Sequence, residues 1–121
     1  YEEAENISID LAVSEKADNL LLVPASFPWS DIGDWKVSYD LKKKDENGNV
    51  VESFGKDGWH MGIETKNCLI LTQNKFVATV GVSDLIIVET QDSVLICSRE
   101  KAQEVKKIVN SLKDLGKKEY L

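Results

Sequence analysis

The sequence has little of what usually makes chemistry easy to read. It holds one arginine (Arg99), one histidine (His60), one methionine (Met61), two cysteines and two prolines in 121 residues. With so few arginines and a formal net charge of −6, it lacks the basic face of a nucleic-acid binder. No apolar run approaches the ~18 residues of a membrane span. The acidic, polar start Tyr1-Glu2-Glu3-Ala4-Glu5 does not resemble a signal peptide. It also lacks an initiator methionine, as a piece of a longer protein would. Ser30 has no histidine in its segment to activate it, which argues against a serine hydrolase. His60 has neither carboxylate nor cysteine neighbours and reads as a turn or surface residue. Neither a dinucleotide-type nor a P-loop glycine pattern is present. Cys68 and Cys97 form no C-x-x-C or zinc spacing. Both sit in apolar β-like runs, so they are expected to be buried reduced thiols in a reducing, cytoplasmic compartment.

What is present suits one ordinary domain, or a small domain plus part of another. Apolar residues make up 42% and charged residues 30%, the balance of a soluble globular chain. Ser8 is a plausible N-cap for a short helix through Leu11, Ala12, Val13 and Lys16, ended by Asp18-Asn19. Leu20-Leu21-Leu22-Val23 reads as a short buried strand. The following stretch to Trp35, with Pro24, Pro28 and Gly33, reads as a loop. A second short helix is expected from about Asp34 to Lys42. Residues 43–49 are charged and turn-forming, and a domain boundary is placed there.

Residues 50–98 look all-β. The runs Val50-Val51, Cys68–Thr72, Phe76–Val82, Leu85–Thr90 and Ser93–Ser98 are separated by polar turns. The last three recur every eight or nine residues, which suits hairpins, a meander or the successive faces of a β-helix. From 99 to 116, Ala102, Val105, Ile108, Val109, Leu112 and Leu115 form one apolar helical stripe. Ser98 can cap its start and Gly116 its end. The lysine-rich opposite face reads as solvated.

The densest chemical signal is Pro28-Trp29-Ser30-Asp31-Ile32-Gly33-Asp34-Trp35. A glycine-containing loop with two carboxylates can present one to Mg²⁺, which takes one or two protein carboxylates plus phosphate oxygens. Equally, the tryptophans can be packing anchors, with Asp31 or Asp34 capping the next helix. Glu15-Lys16 can meet a phosphate or be an ordinary surface pair.

Taken in order, several segments resemble the second half of bacterial mannose-1-phosphate guanylyltransferases. They are Ser8-Ile9-Asp10-Leu11-Ala12-Val13-Ser14-Glu15-Lys16-Ala17, Val23-Pro24 and Trp29-Ser30-Asp31-Ile32-Gly33-Asp34-Trp35. Thr65–Ile70, Val80–Val88 and Ala102-Gln103-Glu104-Val105-Lys106 continue the likeness, which runs from about Ile7 to Gly116. One departure is Ser14, where that family usually has methionine.

The resemblance implies an α+β, mostly β chain. Residues 1–45 would be the tail of an α/β sugar nucleotidyltransferase domain. Residues 46–98 would be a small left-handed β-helix-type domain that helps form a homodimer, and 99–121 a closing amphipathic helix and tail. The parent enzyme would join GTP and mannose 1-phosphate into GDP-mannose and pyrophosphate with Mg²⁺, without nucleic acid or membrane. Asp31 would match the metal-binding aspartate. Glu15, Lys16 and Gly33 would match substrate-binding positions. The family's GTP-binding glycine-rich signature is absent here, so no catalytic residue is assigned and the chain alone is expected to be inactive. The alternatives are a pyrophosphorylase for another hexose 1-phosphate, or a non-catalytic dimerisation module.

Overall fold

The computed structural model describes residues 5–120. Six strands dominate it: β1 (Val50–Ser53), β2 (Trp59–Ile63), β3 (Leu69–Thr72), β4 (Phe76–Val80), β5 (Leu85–Glu89) and β6 (Val94–Ser98). Strands β1 to β5 alternate between two sheets, and β6 joins β5 in the first. One sheet has the order β1-β3-β5-β6 and the other is the pair β2-β4. The pairs β1–β3, β3–β5 and β2–β4 are parallel, while β5–β6 is an antiparallel hairpin. The chain therefore winds as a coil. Leu69 stacks beside Ile86 and Trp59 beside Phe76, 17 residues apart, and Val50 beside Leu69, 19 apart. The eight-to-nine-residue recurrence in the sequence is thus half a coil, closed at the end by one hairpin.

The longer sheet is covered on both sides, which is why β3 and β5 read as unbroken apolar runs. On one side Val50, Leu69, Leu71, Ile86 and Val88 pack with Tyr39 and Ala102, with Trp35, Leu95 and Cys97 around them. On the other, inside the coil, Cys68, Ile70 and Ile87 meet Val77, Val82 and Leu85. Each fully buried Leu or Ile contributes roughly 1.5–3 kcal/mol by leaving water.

The coil turns at stacked corners. Glu64 and Gly81, one coil apart, both take positive φ, as do Asn67 and Asp84. Lys66 N–H donates to Val82 O, and Asp84 N–H donates to Lys66 O. Asn49 bridges coils from inside: its amide donates to Thr65 O and its oxygen accepts from Cys68 N–H.

Among the described residues there are also three short α-helices: α1 (Ile9–Ala12), α2 (Trp35–Leu41) and α3 (Val105–Asp114). Ser8 caps α1, accepting from Leu11 N–H. Asp34 caps α2, accepting from Val37 N–H at 2.9 Å. Helix α2 is fixed to the coil by Tyr39, which is buried and donates to Gly48 O at 2.7 Å. The Arg99 guanidinium lies over the Tyr39 ring and pairs with Asp84 at 2.8 Å.

Four local expectations are corrected. Leu20-Leu21-Leu22-Val23 forms no strand, and Leu21 is 98% exposed. A strand needs a neighbour for its backbone groups, and none of the described residues supplies one. The helix over 99–116 is divided into a 3₁₀ segment, Arg99–Glu104, and α3. Only Ala102 of its apolar stripe is buried, and the Ser98 side chain makes no cap hydrogen bond. Gly116 does end the helix in the left-handed conformation, φ +70°. Finally, His60 lies within β2, a strand not expected from the sequence, and not in a turn.

Candidate functional site

The sequence-predicted residues fall into two places. Glu15 and Lys16 lie in a 3₁₀ turn, Ser14–Lys16, and are exposed. Asp31 and Gly33 lie on the exposed loop leading into α2. Within the described residues no hydrogen bond or ion pair joins the two groups.

The loop around Asp31 borders an open groove of about 850 Å³. Asp31, Gly33, Asp34, Val37 and Ser38 form one wall, while Gln103 and Lys106 contribute to the other. The two aspartates differ in their commitments. Asp34 Oδ1 caps α2, and Asp34 Oδ2 accepts from Gln103 Nε2 at 3.5 Å. The Val37 N–H holds the Asp34 carboxyl below the usual carboxylate range. Asp31 has neither a side-chain hydrogen bond nor an ion pair among the described residues. A side-chain carbon at Gly33 would sit 3.7 Å from Asp31 Oδ2, so glycine leaves the approach to that carboxylate open. No group of three or more His, Cys, Asp or Glu among the described residues could hold a metal ion. Asp31 is thus an exposed carboxylate that lines the groove.

The other ionisable groups of the coil serve structure. His60 Nε2 sits 2.8 Å from Thr79 Oγ1, which in turn lies 2.7 Å from Thr65 Oγ1. Burial lowers the His60 pKa and favours the neutral ring. Burial raises the pKa of both Cys68 and Cys97, so neither resembles an activated thiolate. Glu89 was not anticipated from the sequence. Its side chain is 1% exposed and accepts from the backbone N–H groups of Gln73, Asn74 and Lys75 and from Lys75 Nζ. Burial alone would raise its pKa, but these donors outweigh burial and bring it down to about 2. The only hint in the sequence is an acidic residue ending an otherwise apolar strand. Gln103 and Lys106 were likewise not foreseen as groove residues, since they stand some 70 residues from Asp31 in sequence.

Comparisons with known proteins agree with the coil. Residues 58–112 match the family model described as "MannoseP isomerase/GMP-like beta-helix domain". A mannose-1-phosphate guanylyltransferase from Klebsiella pneumoniae is 41% identical over 98% of this chain, and the matched part is 24% of that protein. The alginate biosynthesis protein AlgA of Pseudomonas aeruginosa is 37% identical over 93% of the chain and is matched over 22% of its own length. The chain thus spans about a quarter of the curated relatives it matches. A crystal structure from Thermus thermophilus, described as a mannose-1-phosphate geranyltransferase, superimposes with a TM-score of 0.74 at 36% identity. That match covers 88% of this chain and 31% of the other. Residues 58–112 are therefore similar to that β-helix domain, and nearly the whole chain is similar to a part of mannose-1-phosphate guanylyltransferases.

Proposed function

We propose that this chain is the closing part of an enzyme that transfers GMP from GTP to mannose 1-phosphate, releasing pyrophosphate. Residues 1–45 are read as the end of its nucleotidyltransferase domain, 46–98 as a left-handed β-helix-type domain, and 99–121 as a closing helix and tail. The observation that carries this reading is the 41% identity to a guanylyltransferase over 98% of the chain, a span that includes the Asp31 loop. The exposed apolar run Leu20–Val23 supports it too, as a surface that another part of the enzyme would cover.

In this reading an oxygen of mannose 1-phosphate attacks the α-phosphorus of GTP. A new P–O bond forms as the bond to pyrophosphate breaks, with no covalent intermediate on the protein. The residues act by positioning and charge neutralisation. Asp31 would hold Mg²⁺, which when bound polarises phosphate oxygens as a Lewis acid. Lys16 would neutralise phosphate, and Glu15 would accept from sugar hydroxyls. Gly33 would let the substrate approach the backbone. The work would be done in the cytoplasm, by a homodimer joined through the β domain. The chain alone lacks the glycine-rich triphosphate loop and would be inactive.

The test is pyrophosphate release from GTP and mannose 1-phosphate by the full-length protein. Asp31→Ala should lower kcat by about 100-fold with folding intact, the order expected for losing one charge-stabilising group. Full activity in the variant would remove Asp31 from the site. Turnover with another hexose 1-phosphate, but not with mannose 1-phosphate, would reassign the substrate.

A further inference from the structure

The groove beside Asp31 has a second wall, supplied by the β domain's closing segment. This wall is firmly seated. Ala102 is buried in the core beside Tyr39, and Arg99 is held by the Tyr39 ring and by Asp84. Gln103 and Lys106 are one helical turn apart and both line the groove. Gln103 reaches across it to Asp34. Lys106 is the only cationic residue lining the groove among the described residues. Its neighbour Lys107 pairs with Glu104, whereas no ion pair engages Lys106 among the described residues. The groove lining thus carries one uncommitted carboxylate, Asp31, and one uncommitted ammonium, Lys106, from two separate stretches of the chain.

We propose that Lys106 is a phosphate-binding residue of the nucleotidyl-transfer site. The Lys106 ammonium would meet a phosphate oxygen of the substrate, with Gln103 holding the Asp34 end of the loop in place. This rests on the reading of the Asp31 groove given above. Lysine suits the task as a compact point charge on a flexible stem. The β domain would then contribute directly to catalysis, in addition to assembly. The phosphate belongs to either the sugar phosphate or the nucleotide, and the two sources are separable.

The experiment uses the full-length protein with Lys106→Ala, Lys106→Arg and Asp31→Ala. KM and kcat are measured for each substrate. Calorimetric Kd values for mannose 1-phosphate and for GTP, with Mg²⁺ present, give a readout that needs no turnover. Lys106→Ala should weaken one ligand by about tenfold, the size of one charge-assisted contact, with a smaller change in kcat. Lys106→Arg should restore most of that affinity, and the melting temperature should not move. A defect confined to mannose 1-phosphate assigns the sugar phosphate; one confined to GTP assigns the nucleotide. If Lys106→Ala keeps all constants within about twofold, the inference is overturned. A loss of affinity that arginine does not restore and that follows a lower melting temperature overturns it as well, since that marks a structural role. The reading of the groove fails separately, if Asp31→Ala retains full activity.

Discussion

Glu89 shows how much a single side chain can organise. It closes the corner between β3 and β4 by accepting from three successive backbone N–H groups, each of which would otherwise lack a partner. The consequence is a pH dependence with a definite sign. Its folded pKa, about 2, lies below the ordinary value of 4.5. The stabilisation is therefore complete above pH 4.5 and is lost as pH falls toward about 2. Glu89→Gln keeps the shape but places an amide nitrogen among the donors. It should lower the urea midpoint of the 121-residue chain at neutral pH and flatten the acid limb of the stability profile. Wild-type and variant profiles that run parallel through that window would refute the assignment.

At the scale of elements, the coil's corners are limited by two different things, space and backbone conformation. A side-chain carbon at Gly55 would lie 1.7 Å from the carbonyl oxygen of Gln73, in the next coil. Nothing lies within 4 Å of the same position on Gly81, where the constraint is a φ of +63°. Gly55→Ala forces backbone to move and should cost about 3 kcal/mol or more, at the upper end for overpacking. Gly81→Ala should cost only about 1–2 kcal/mol, the left-handed penalty. Denaturant titration gives the order, and a larger loss at Gly81 would contradict it.

The same corners explain what could be read in advance. Strands β3 to β6 were legible within a residue or two because their runs are apolar and turn-bounded. β2 was not, because its pattern is inverted. Trp59, Met61 and Ile63 are exposed, while His60 packs on Thr79. Gly62 is needed because a side-chain carbon there would meet Thr65 Oγ1 at 2.9 Å. Those glycines and the histidine read as a turn until the pairing with β4 is known, including the stacking of Trp59 on Phe76 at 4.3 Å. Leu20–Val23 misled in the opposite way, since apolar composition does not supply a neighbouring strand. That residues 24–34 form a loop was legible from Pro24, Pro28 and Gly33. Gln103 and Lys106 were not, because only the docking of Ala102 and Arg99 on Tyr39 brings them across from it.

For the whole molecule, the unequal sheets matter most. One has four strands and the other two, so β6 has no strand facing it from the second sheet. Leu95 and Cys97 pack toward α2, which turns Val94 and Ile96 to the other side. There they border an apolar groove of about 360 Å³ with Val77, Val82, Leu85 and Ile87, beside the unpaired edge of β4. An open strand edge next to exposed apolar side chains favours association. This is the surface through which the proposed homodimer would form, and a second coil end placed there would cover both features. Ile96→Glu is a direct probe, because Ile96 is already 63% exposed and its replacement should leave the fold intact. Sedimentation velocity on the full-length protein should show a dimer for wild type. For Ile96→Glu it should show a monomer, or a dimer weakened by at least about tenfold, as expected when a charge is left unpaired in an apolar contact. A wild-type protein that stays monomeric at every concentration would remove the dimer. A dimer indifferent to Ile96→Glu would keep the dimer and move its interface elsewhere, with the exposed β2–β4 face around Trp59 and Phe76 the next surface to substitute.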